Sequence, residues 1–366
     1  MYSLAQGGYT HAQVKRMLTE HRKIAFEFAL LNGADKFIKT LRSASGSISF
    51  CAGSEIMGTG SFTVLEKEVS GYDLVDYRIS PYFKVESPVG WLSYPLGIYI
   101  MTSPRRRDGS SVELSIDCYD KSIILKEDKL ADRLYIPAGS NYVQEVQKII
   151  ATAGITKVSI EGSPLVLQSD LEFEIGTDKL SVVNDLLYAI NYNPIHFDRT
   201  GTAVSERYVE PSMRQTEEEY LTNRDSIIKS GAQQTRDLYN IPNVIIRYTN
   251  NPDAEALRSE YVNDSADSIL STVRRGRRVV DIESVDDIAD QYTLDAYTKR
   301  VAIEKSQIND TVTLPTALMP HHSYKDCLFV RHDGMNIGAK FIENSWSMEL
   351  EVGGTMQHQI KRVTLI

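Results

Sequence analysis

The stretch SWSMELEVGGTMQHQIKR, from Ser345 to Arg362, constrains the fold more than any other part of the chain. Trp346, Met348, Leu350 and Val352 share one parity, and Ser345, Ser347, Glu349 and Glu351 share the other. Side chains alternate faces along a strand, so the pattern describes a ribbon with one buried and one wet face. Gly353-Gly354 supplies a turn, because glycine takes positive φ without steric cost. A two-residue loop would leave Met356 and Ile360 on the polar face. A three-residue loop, Gly353–Thr355, sets Val352 opposite Met356 and Met348 opposite Ile360. Register follows the buried face, so the three-residue loop is predicted.

The same grammar fills two regions. Before the first, Val14, Met17, Leu18 and His21 recur at helical spacing behind Thr10 as N-cap, which predicts a helical arm over residues 1–23. From Ile24 to Tyr135 short alternating strands follow one another: KIAFEFALL, GSISF, GSFTVLEKE, DYRISPYFKVE, YPLGIYIMT and VELSIDCYD. SPRRRDGSS reads as a polar turn between the last two. Short strands at regular spacing suggest a closed or nearly closed barrel. At residue 136 the period changes. Ser140 or Asn141 caps a helix that stops at Gly154, and Thr177 or Asp178 caps a second with Leu180, Val183, Leu187 and Ile190. NPIHFDRTGTAVSERY is a strand, a turn and a return strand. MRQTEEEYLTNRDS reads as a linker or surface segment. From Ile241 the β grammar resumes, interrupted by a helix at about 285–304, capped by Ser284 with Asp287.

The predicted class is therefore a β-rich α+β protein: two antiparallel β-barrel-like domains, 24–135 and 241–366, flanking an α/β insert and linker at 136–240. At 366 residues with 42% hydrophobic and 24% charged content the chain can bury a sizeable core. A net charge of −9 argues against a general nucleic-acid binder, which needs a basic surface to displace counterions. Cys51, Cys118 and Cys327 form no CxxC pattern, so neither a disulfide framework nor a zinc ribbon is expected. The N-terminus is too polar for a signal peptide, and no apolar run approaches a membrane span of about 18 residues.

Chemistry is sparse. PHHSYKDC brings His321, His322 and Cys327 close in sequence, with His332 nearby. Adjacent histidines on a strand point to opposite faces and chelate poorly together, so a polar turn is the reading and no metal or cofactor is expected. GSEIMGTGSF lacks the Gly-Lys-Ser/Thr ending of a phosphate loop. No GxSxG, HExxH or papain-type context occurs, so no catalytic residue is assigned. Arg105, Arg106 and Arg107, and Arg274, Arg275, Arg277 and Arg278, are the dense basic runs. Arginine's planar fork suits paired carboxylates, which makes them candidate subunit-interface residues.

The order of elements resembles the tail hub or baseplate hub proteins of long-tailed bacteriophages, a group that includes minor tail proteins. The resemblance is carried by YPLGIYIMTSPRR with VELSIDCYDKSIILKEDKL, and by TALMPHHSYKDCLFVRH with SWSMELEVGGTMQH. LSVVNDLLYAINYNPIHFDRTGTAVSERY is similar in plan to the insert of type VI secretion spikes. The resemblance implies a non-enzymatic homotrimer at the virion tail tip, assembled in the host cytoplasm. It implies a ring of pseudo-sixfold character around a channel through which DNA passes. The partners implied are a distal tail or tail tube protein, a tape measure protein and tip or receptor-binding proteins, with no membrane insertion. The chain ends after the second β region, so wall-degrading activity is expected on other chains. A cell-wall hydrolase using Glu161, Asp170, Glu172 and Glu174, or a subunit of a contractile injection machine, are the alternatives.

Overall fold

The computed structural model describes residues 1–20, 22–236, 239, 241–249, 256–285, 288–307 and 310–363. Its centre is one sheet of fifteen strands. The path starts at Gln233–Arg236 and runs through Asp310–Thr316, Met356–Arg362 and Ile337–Glu349 to Ser45–Cys51. It continues through Gly58–Leu65, Glu113–Tyr119, Tyr99–Met101, Tyr77–Ser87 and Ile24–Asn32 to Phe37–Leu41. Among the described residues no sheet closes into a barrel. The β content of both regions is as the alternation predicts. The two regions share one sheet because Ile337–Glu349 pairs with Ser45–Cys51, Trp346 lying opposite Phe50 and Met348 opposite Ile48. The rings of Phe50 and Trp346 stack at 5.9 Å, and both join the large core that also holds Phe28, Phe62 and Phe83.

The closing ribbon has a different register from the predicted one. Met348 pairs with Met356 and Trp346 with His358, and the connection spans Leu350 to Thr355. Val352 is 73% exposed in that loop. Two contacts invisible to local parity set this. The Leu350 N–H donates to Gly46 O at 2.9 Å, so the strand end follows its other neighbour. Lys229 Nζ donates to the carbonyls of Gly353 and Gly354 at 3.1 and 2.9 Å and holds the loop open. Gly353, at φ 85°, supplies the positive φ.

Three further expectations are corrected. Arg105–Arg107 is a short exposed strand paired with Glu113–Tyr119, not part of a turn. The long helix is Gln291–Gln307; Ser284 and Val285 belong to the strand Val280–Val285, and Asp287 lies outside the described residues. Asp290 is its cap, accepting the Thr293 N–H at 2.7 Å. Within MRQTEEEYLTNRDS, Glu218–Leu221 is a strand parallel to Cys327–His332, with Glu218 and Tyr220 buried. That stretch looks like a linker only because its inward residues are polar.

The helices elsewhere follow their signals. Thr10 and Gln13 make a capping box for His11–Thr19, whose Val14 and Leu18 enter the large core. His21 of the predicted stripe lies outside the described residues. Asn141 caps Tyr142–Thr152, and Gly154 follows its end at φ 80°. Asp178 caps Lys179–Tyr188. These two helices pack over the small sheets around Val146, Ile150, Leu186 and Leu187.

Trp346 bonds the two halves of the sheet through packing as well as register. Trp346→Ala is expected to cost about 3–5 kcal/mol. Urea titration measures it, and hydrogen exchange should rise in both Ser45–Cys51 and Ile337–Glu349. Faster exchange confined to one strand would contradict a shared sheet.

Candidate functional site

The main concentration of titratable side chains is buried beneath the strand Ile337–Glu349. A β-bulge there breaks the register between Glu343 and Ser345. One extra residue changes the inward parity, so Phe341 and Glu343 point in before it and Trp346 and Met348 after it. Glu343, 1% exposed, lies within hydrogen-bond distance of His322 Nδ1 at 2.6 Å and His358 Nδ1 at 2.5 Å. Tyr220 OH lies 2.6 Å from His322 Nε2, and Thr316 Oγ1 lies 2.8 Å from His358 Nε2. Each imidazole thus has both nitrogens engaged. Ligands on one tetrahedral zinc, at about 2.0–2.3 Å from the ion, sit about 3 Å or more from each other. The shorter separations here are those of charge-assisted hydrogen bonds.

A second group adjoins it. His321 Nε2 lies 2.8 Å from Glu218 Oε2, and Lys15 also reaches Glu218. The Leu4 N–H donates to His11 Nδ1 at 3.1 Å, and the His11 and His321 rings meet edge-on. The turn at PHHSYKDC is therefore present, as the sequence predicts, but buried rather than solvated, with His321 0% and His322 4% exposed. The two histidines face different carboxylates, as adjacent residues should. Neither Cys327 nor His332 joins these groups among the described residues. Sequence reasoning missed Glu218, Tyr220, Glu343 and His358, because each acts through a partner far along the chain.

Burial governs their ionisation. It pushes the Glu343 carboxyl up and lifts that of Asp326 to about 7. It also drives the His322 imidazole well below the ordinary range, reinforced by the neighbouring histidines. Burial alone would lift Glu218, but hydrogen bonding and charge from His321 and Lys15 pull it down to about 2. The hydrogen bonds around Glu343 tie His322, His358, Tyr220 and Thr316 to one another and so fix strand register.

The sequence-predicted arginines lie elsewhere and apart. Arg105 pairs with Asp117 at 2.9 Å and Arg106 with Glu66 at 2.8 Å. Arg278 pairs with Glu260 at 2.9 Å, Arg277 covers the Tyr239 ring, and Arg275 donates to Ile241 O and Tyr239 O. Arg107 and Arg274 are exposed, and neither side chain has a partner among the described residues. The acidic run proposed for hydrolysis is dispersed over ion pairs: Glu161 with Arg207, Glu172 and Glu174 with Arg133. Asp170 accepts the Ala138 N–H and the Tyr135 hydroxyl, which hold its carboxyl below the usual range.

No family model and no curated protein matches the sequence. Solved structures do match. The tail protein from Neisseria meningitidis MC58 superposes with a TM-score of 0.67 at 14% identity, over 92% of this chain and 97% of that one. The 43 kDa tail protein of prophage MuSo2 from Shewanella oneidensis gives 0.64 at 11%, over 92% and 98%. The chain has the fold of tail proteins. Prophage tail protein gp18 from Listeria monocytogenes EGD-e extends the likeness, with a TM-score of 0.57 at 12% identity over 92% and 94%. At these identities the likeness is one of backbone plan, which places the tail-protein resemblance of the sequence on a structural footing.

Within this tail-protein fold, His196 marks where the helical region meets the sheet. It stacks on Tyr324 at 4.5 Å, and Tyr324 in turn packs edge-on against Phe50. Burial lowers the His196 imidazole to about 4. The folded chain keeps it neutral while the unfolded chain takes up a proton below about 6.5. Its contribution is therefore whole at pH 7 and is lost as pH falls from about 6.5 toward 4. Urea titrations of wild type and His196→Phe should show their stability gap shift by about 3 kcal/mol against wild type between pH 7 and pH 4. A gap independent of pH would contradict the neutral buried imidazole.

Proposed function

We propose that the chain is a structural tail hub. Three copies form a ring of pseudo-sixfold character at the distal end of a phage tail. The ring joins the tail tube or distal tail protein to tip and receptor-binding proteins, and DNA and the tape measure protein occupy its channel. The observation that carries this reading is the fold match to tail proteins, which covers 92% of this chain and 97–98% of two of them. On this reading the β-rich regions 24–135 and 241–366 are the two barrel-like units of each subunit, and 136–240 is inserted between them.

The physical features agree with an adaptor. The polar groups around Glu343 are spent on internal hydrogen bonds, and the acidic run 161–174 on surface ion pairs and hydrogen bonds. Among the described residues no helix is long and apolar enough to cross a membrane. With a net charge of −9, the channel wall is neutral to acidic, which avoids trapping the phosphate backbone. Arg107 and Arg274, free at the surface, are contacts to carboxylates of a neighbouring chain.

Native mass spectrometry of the purified protein is expected to show a trimer. Arg107→Glu combined with Arg274→Glu should weaken its association about tenfold or more, with the circular dichroism unchanged. Gold-labelled antibody on virions should mark one end of the tail. Label along the tail's length, or its absence from particles, would sink the hub reading.

A further inference from the structure

A cleft of about 760 Å³ opens where the helices Gln291–Gln307 and Lys179–Tyr188 face the sheet and the Tyr324–Lys325 turn. That volume lies within the usual range for ligand sites, about 300–1,000 Å³. Its inner wall has an imbalance of charge. Arg300, Lys325 and Lys361 supply three cations, and Glu304 is the carboxylate among them. Glu304 Oε1 accepts Lys325 Nζ at 2.9 Å and Arg300 Nε at 3.4 Å. Burial would lift its carboxyl, but these two charges hold it at about 2. Arg300, 4% exposed, donates to Tyr192 O at 2.7 Å and lies against the Tyr208 ring.

Lys361 is left over. Its ammonium has no ion pair or hydrogen bond among the described residues, and burial together with the charge of Lys325 lowers its pKa. Two more donors are idle on the same wall. The hydroxyls of Tyr208 and Tyr324 are buried without a partner, although the Tyr324 residue is only 8% exposed. A half-buried cation without a direct ion pair and orphaned hydroxyls both cost free energy, and one bound anion would relieve them together. Tyr188 and Tyr297 add aromatic surface to the wall, beside Val301, Ile342 and the amides of Asn184, Asn193 and Asn344. The rim carries exposed Glu55, Glu161 and Glu206, of which Glu161 pairs with Arg207 at 3.6 Å.

We propose that this cleft binds a peptide segment of a partner protein through one inserted carboxylate, an Asp or Glu side chain flanked by apolar residues. Lys361 pairs with the carboxylate, the Tyr208 and Tyr324 hydroxyls donate to it, and the tyrosine rings cover its apolar neighbours. A nucleic-acid strand carries a phosphate charge at every nucleotide and would meet the rim glutamates, whereas a single carboxylate passes between them. The partner is a neighbouring chain of the tail, so the proposal rests on the hub reading. The binding measurement uses free protein, and its failure leaves tail labelling and trimer formation untouched.

The test is selection of a displayed random-peptide library on the full chain and on Lys361→Met. Peptides enriched on wild type should share an Asp or Glu, and replacing it by Asn or Gln should weaken binding about tenfold or more. Lys361→Met should abolish that binding and raise the melting temperature by about 2–4 °C, because a half-buried charge without an ion pair is removed. Tyr324→Phe keeps the ring stacking and should weaken the same peptides several-fold. The proposal is overturned if nothing is enriched or if the enriched peptides lack an acid. It is also overturned if Lys361→Met binds them equally, or if a ten-nucleotide single strand binds more tightly than any peptide.

Discussion

The strand Ile337–Glu349 has partners on both sides, and the rest of the architecture depends on that. One edge takes Met356–Arg362 and the other Ser45–Cys51, so the last strands of the chain are flanked by early ones. The bulge after Glu343 makes the double pairing compatible with one core. Before it the inward residues meet the smaller core of Val312, Leu328 and Ile360; after it they meet the large core of Phe50 and Phe62. A strand without that extra residue would send Glu343 or Trp346 to the wrong face.

Placing a carboxylate at this hinge is costly unless its lone pairs are filled. His322 and His358 fill them, and Tyr220 and Thr316 occupy the far nitrogens. The four partners come from the turn after Met319-Pro320 and from three different strands. A network that is satisfied only when all of these strands are in register penalises every alternative pairing. Its contribution is specificity of arrangement more than net stability, since a buried ionic group seldom outperforms a well-packed apolar one.

Much of the backbone plan was legible in the sequence. Period-two alternation located the strands around Leu114, Ile116 and Cys118, and cap residues located the helices beginning after Asn141 and Asp178. These signals are local. What failed was set by distant contacts. The ribbon's loop is held by Lys229, more than a hundred residues earlier, and its strand end by Gly46. Glu218 and Tyr220 read as linker because inward polar residues look like outward ones until their partners are known. The arginine runs were visible as composition, but among the described residues only Arg107 and Arg274 of these runs are left without a partner, a distinction that depends on Asp117, Glu66, Glu260, the Tyr239 ring and the Ile241 carbonyl being near the others.

The molecule therefore holds two kinds of charge drawn out of water, Glu343 fully buried and Lys361 half-buried, and their difference carries functional meaning. Glu343 is completed from within: every donor it needs belongs to the same chain and lies at hydrogen-bond distance. Lys361 is not, although it sits on the neighbouring strand, opposite Ile342. Folding alone can select the first arrangement, because its cost and its relief arise in the same step. It cannot select the second, which lowers the stability of the free chain and is relieved only from outside. A protein whose task is to hold other proteins in place would keep such a defect where a neighbour's carboxylate removes it, since the free energy withheld on folding is then released on assembly.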